Sequence, residues 1–157
     1  MTTTRVGNRS DRIPQVRGRL EILRRGFGEA EWERLVDQEN VIVAGFLTQE
    51  VRGIVGGGPA ADYKVAYVQL GTSGVPEVAG DTVITNPVEF AVTTFSYPAL
   101  KSVRFEATLA AGLGNGVVFQ EAGLLFSTHV LAARKTFPGM AKSGAFEWLI
   151  RWTLTWV

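Results

Sequence analysis

The chain has 157 residues, enough for one domain with its own core, and 46% of them are hydrophobic against 20% charged, a globular balance. It contains no cysteine and one histidine, His129, so a disulfide framework and a thiolate metal site are excluded, and any imidazole chemistry would rest on one residue with no ligand spacing around it. The net charge of +1 predicts no partner, and no apolar run reaches the length a bilayer demands. The opening Met1 to Arg5 has no apolar signal region, so the expected product is soluble and made in a cytoplasm.

The charge is unevenly spread. Residues 1–25 hold Arg5, Arg9, Arg12, Arg17, Arg19, Arg24 and Arg25 against Asp11 and Glu21, a balance of +5, while the remaining residues balance at −4. Guanidinium groups fork onto carboxylates and phosphates with little reorganisation, so this segment reads as a basic arm, residues 1–28, lying along another protein's surface. Those seven arginines are the candidate interface residues; a solvated leader is the alternative. Within the arm, Val16, Leu20, Ile22 and Leu23 permit a short amphipathic helix, interrupted by Gly18 and stopped by Gly26 and Gly28. A second helix is expected over residues 29–40, where Trp32, Leu35 and Val36 share a face and Glu29, Glu31 and Glu33 favour the positive end of the dipole.

From Val41 the period switches to two. Residues 41–47 form a short apolar run, and Gly53 to Pro59 is a loop without the spacing or lysine of a phosphate-binding loop. Residues 64–70 alternate and are closed by Gly71 to Gly74, and residues 89–97 follow Asn86-Pro87. Val103, Phe105, Ala107 and Leu109 alternate with Arg104, Glu106 and Thr108, a half-buried strand. Asn115-Gly116 is the pair favoured where a tight hairpin needs two positive φ angles, and it leads into residues 117–126. The same glycines do not make a dinucleotide site, which needs a strand before them and a helix after. In the last strand Phe146, Trp148, Ile150, Trp152, Leu154 and Trp156 point one way and Glu147, Leu149, Arg151, Thr153 and Thr155 the other. Rings of that size each bury about 200 Å², so they read as core rather than as a sugar-binding platform, and the strand as one locked inside a sheet.

Seven or eight strands with Gly and Pro turns and one firm helix describe a mainly β chain: a β-sandwich over residues 29–157, with strands from 41 onward. Uneven strand lengths and long early loops favour a jelly roll; an immunoglobulin-like sandwich is the competitor. Glu121, inside an apolar strand, is expected to pair with a base, Arg134 or Lys135, because an isolated buried carboxylate is costly.

A set of motifs extends this reading. Tyr67 to Gly74 with Gly80-Asp81-Thr82, then Val103 to Ala107, Gln120 to Phe126, Leu131 to Pro138, and finally Lys142 with the tryptophan-rich strand, follow one another in an order that resembles a family of small tailed-bacteriophage virion proteins. The resemblance runs from about Asn40 to the C-terminus. Ser73 stands where that family more often has glycine, and the arginine-rich leader lies outside the shared pattern. The resemblance implies a non-enzymatic virion structural protein without cofactor, metal or catalytic residues, found in the host cytoplasm before assembly and in the virion after it. A capsid decoration or cement protein that clamps major capsid subunits, paired with copies of itself as a dimer or trimer, is the expectation. A tail, baseplate or neck component with the same fold is the alternative, and a carbohydrate- or receptor-binding sandwich is a second. Neither nucleic acid nor a membrane is an expected partner.

Overall fold

Period-two alternation runs through most of the chain, and it is realised as strand after strand. The computed structural model describes residues 15–54 and 56–157. Among the described residues nine strands, β1 (Val16–Gly26), β2 (Glu33–Ile42), β3 (Val65–Gly71), β4 (Val88–Ala91), β5 (Thr94–Ser96), β6 (Ser102–Leu109), β7 (Val118–Phe126), β8 (Leu131–Ala141) and β9 (Phe146–Trp156), are joined by one helix, α1 (Ala44–Ile54), and a 3-10 turn, Ala60–Tyr63. The chain is mainly β: a single antiparallel sheet in the order β4-β3-β7-β8-β2-β1-β9-β6-β5, curled into a half-barrel.

Two segments make the curl by changing partners along their length. In β2, Glu33 to Asn40 pairs with β1, whereas Val41 and Ile42 pair with Arg134 and Ala133 of β8. Between β4 and β5 only two residues intervene, yet β4 pairs with β3 at one end of the sheet and β5 with β6 at the other. The Val92 amide donates to Ala66 and the next amide, Thr93, to Glu106, so a single extended segment bridges both ends of the sheet. The space enclosed is filled from both halves: Leu20, Ile22, Trp148, Ile150, Trp152 and Leu154 from one side meet Val68, Leu70, Phe119, Leu124, Phe126 and Phe137 from the other. Alternation in β9 therefore points its tryptophans inward, and Trp152 is 0% exposed with its indole N–H donating to Asn40 Oδ1 at 2.9 Å.

Three expectations are overturned here. The segment expected as an arm over residues 1–28 contains, at Val16–Gly26, a strand paired along its length with β9 and over most of it with β2. Leu20 and Ile22 are the signal: they alternate with Arg19 and Glu21 at period two and enter the core, while a bulge after Ile22 displaces Leu23. The helix expected over residues 29–40 is instead a hairpin tip followed by β2. Trp32, Leu35 and Val36 have helical spacing, but Trp32 precedes the strand, Leu35 and Val36 fall on opposite faces of it, and Arg34 and Asp37 find partners across the strand pair, Arg34 with Glu21 at 3.1 Å and Asp37 with Arg19 at 2.5 Å. The helix found among the described residues is α1, which starts at Ala44, after the expected span has ended and where a strand and loop were expected; Phe46 and Gln49 are its buried positions, and its first amide, Ala44, donates to Ala79. The Asn115-Gly116 turn is also looser than expected. Gly114 and Gly116 take positive φ, at +68° and +80°, and Asn115 does not. At Gly114 a Cβ would meet the Phe119 ring at 2.8 Å, so close packing as well as φ requires glycine there.

No helix among the described residues is long and apolar enough to cross a membrane.

Candidate functional site

The seven candidate arginines divide into two groups. Arg5, Arg9 and Arg12 lie outside the described residues. Arg17, Arg19, Arg24 and Arg25 lie on β1, and three of them are bound within the chain: Arg19 to Asp37, Arg24 to Glu33 at 2.6 Å and Arg25 to Glu147. Arg24 also lies over Phe146 and Arg25 over Trp32. Arg151 pairs with Glu106 at 2.7 Å and Arg34 with Glu21, so β2, β1, β9 and β6 carry a chequerboard of alternating charges. The hydrogen bond from Arg19 holds Asp37 below the usual carboxylate range and in turn raises Arg19.

Part of the motif set, Tyr67 to Gly74, Asp81, Gln120 to Phe126 and Leu131 to Pro138, meets on the opposite part of the sheet, whereas Val103 to Ala107 and the tryptophan-rich strand lie on β6 and β9. There Glu121 of β7 and Arg134 of β8 face outward from the core but are covered by residues 72–87. Glu121 is 0% exposed, and its carboxylate accepts from Arg134 Nε at 2.8 Å, the Thr85 amide at 2.8 Å and the Ser73 amide at 3.1 Å. Arg134 also donates to Asp81 at 2.9 Å and to the Val75 carbonyl at 2.9 Å. Burial opposes its charge, but Glu121 and Asp81 outweigh burial and raise its pKa. Beside this pair Lys135 donates to Glu77 at 2.6 Å, and Thr136 donates to the same carboxylate from its amide and hydroxyl. Burial works against ionised Glu77, yet those donors hold its pKa at about 2.

Local chemistry explains why these residue types stand at these places. Gly71 lies opposite Glu121, and a Cβ there would come within 2.7 Å of its carboxylate and of Ile84. Gly123 makes room for Ile84 in the same way, and Ile84 joins Val43, Leu125 and Leu131 in a small second core. At Ser73 the side chain adds a hydrogen bond from the Val75 amide and leaves the amide bond to Glu121 in place. Lys142 is buried as well, capping Ala111 and Ser143 carbonyls and Asn115, and desolvation lowers its pKa. Of the expected pairing, Arg134 is the partner of Glu121, whereas Lys135 serves Glu77.

A pocket of about 1030 Å³ opens between α1, the 3-10 turn and the segment that ends β5. Its walls include Phe46, Phe95, Tyr97, Phe105, Phe126 and Trp156, and Trp156 donates to Glu50 at 3.0 Å. Phe95, Tyr97 and Leu100 stand exposed at its rim. Nothing in the periodicity signalled this pocket; it arises where the sheet's two ends approach. His129 lies apart from it, stacked on Tyr67 and bonded to Glu89 at 3.1 Å. Among the described residues no group of three or more His, Asp or Glu could hold a metal ion.

No family model, no curated protein and no solved structure matches this chain.

Proposed function

We propose that this chain is a non-enzymatic structural component of a tailed-bacteriophage particle, acting as a head decoration protein that ties neighbouring major capsid subunits together. The observation that carries the reading is convergence. Gly71, Ser73, Asp81, Glu121 and Arg134, taken from motif pieces spread over more than sixty residues, act on one network that straps residues 72–87 to the sheet. A strap held by buried charge makes a rigid body, and rigidity is what a lattice component needs, since many weak contacts act at high effective concentration once the first is made. We read the curled sheet as a two-layered sandwich of the jelly-roll kind, β2-β1-β9-β6-β5 facing β8-β7-β3-β4. Its partners are the major capsid protein and copies of itself, and its place is the virion.

The clamp in this reading is shorter than the arginine content suggests. Arg19, Arg24 and Arg25 are engaged within the chain, which leaves Arg5, Arg9 and Arg12, with the exposed Arg17 at the start of β1, for a neighbour. The test is rebinding of purified chain to particles that lack it. Intact protein binds, and chain without residues 1–14 binds more weakly; affinity falls as salt rises, because exposed charge contacts are screened over a Debye length of about 10 Å at 0.1 M. Equal binding by the truncated chain would remove the clamp, and no binding by either would remove the decoration role.

A further inference from the structure

We propose that copies of this chain associate head to tail, with the Phe27 tip of one seated in the aromatic pocket of the next. The two surfaces lie at opposite ends of β1. Val16 pairs with Trp156, a wall of the pocket, and Gly26 pairs with Phe146 at the other end, a separation of about 33 Å at strand rise.

Phe27 is 97% exposed at the tip of the β1–β2 hairpin, between Gly26 and Gly28, whose φ is +81°. A large ring bared to this extent on a tight, glycine-flanked turn has the form of an anchor, since buried aromatic anchors dominate the energetics of protein interfaces. The pocket offers the matching concavity: aromatic walls, an apolar rim at Phe95, Tyr97 and Leu100, and room for more than one ring.

Charge decides which occupant fits. Glu29 and Glu31 stand exposed beside Phe27, and Glu29 also bonds the Gly26 amide, which holds the tip in shape. At the pocket Lys64 and Lys101 are exposed lining residues, while the one acid in the lining, Glu50, is engaged by Trp156. An acidic tip carrying one phenylalanine therefore meets an aromatic cavity whose apolar rim is flanked by two lysines. Two different patches make a heterologous contact, which closes into a ring or runs on as a filament.

The test is sedimentation of the purified chain, without particles, so its failure leaves the virion assignment where it stands. Wild-type protein assembles. Phe27→Asp and Leu100→Asp, both at exposed positions, keep the melting temperature and weaken assembly by about thirtyfold or more, the effect of losing an interface anchor. Mixing the two variants gives a one-to-one pair and nothing larger, because each supplies one intact surface. A wild-type chain that stays monomeric up to about 1 mM would overturn the proposal. So would Phe27→Asp assembling as wild type does, and so would association that survives Phe27→Asp but is lost on removing residues 1–14, which would give the pocket to the N-terminal segment.

Discussion

Trp152 and Glu121 are both fully buried, and they are held by different physics. Trp152 fills space: replacing it with alanine should cost roughly 3–5 kcal/mol in chemical denaturation, the range for emptying a large aromatic site. Thr153→Ala, on the outward face, should change stability by less than about 0.5 kcal/mol. Glu121 is held by charge as well as by the Ser73 and Thr85 amides, and Arg134→Met, which leaves its buried carboxylate without a cation, should cost roughly 3–5 kcal/mol. Glu77 supplies a pH dependence. Its folded pKa of about 2 lies below the ordinary 4.5, so the unfolded chain takes up the proton first. Its stabilisation is fully present above pH 4.5 and is lost as pH falls through that value toward 2; Glu77→Gln should flatten this part of the acid limb. Both burial assignments were legible in the sequence. A tryptophan at every other inward position of a long alternating strand has few other uses, and an acid in an apolar run requires a base.

Elements were legible where alternation was long and unambiguous, as in β6 and β9, and misread where three apolar residues at helical spacing fell in a strand. Residues 29–40 are the instructive case: Trp32, Leu35 and Val36 suit a helix, but cross-strand ion pairs to β1 decide for a strand, and those depend on a neighbour distant in sequence. The same long-range pairing hid β1 behind its arginines, because a charged outward face looks like a solvated arm until the inward Leu20 and Ile22 are paired with β9. This makes a prediction at the scale of elements. Removing residues 1–14 should leave a cooperatively melting fold, whereas removing residues 1–25 deletes most of a strand bonded on both sides and should leave a chain without a sharp thermal transition. Circular dichroism of the two truncations checks it. A folded chain lacking residues 1–25 would contradict the placement of β1.

For the whole molecule, the curl follows from two partner-changing segments, neither visible as such in sequence, and the pocket follows from the curl. Charge is divided to match: a chequerboard of ion pairs over β2, β1, β9 and β6, a strapped and internally satisfied network over β7 and β8, and an apolar mouth at one end. In the proposed virion role, such a body would offer neighbours a rigid shape and few contacts at a time. Counting its copies in purified particles by quantitative mass spectrometry, against the major capsid protein as internal standard, tests this account most directly. A head decoration protein should be present in hundreds of copies per particle; absence from the particle would contradict a virion role altogether, and a count in the tens or fewer, in multiples of three or six, would contradict the head and move the chain to the tail or neck.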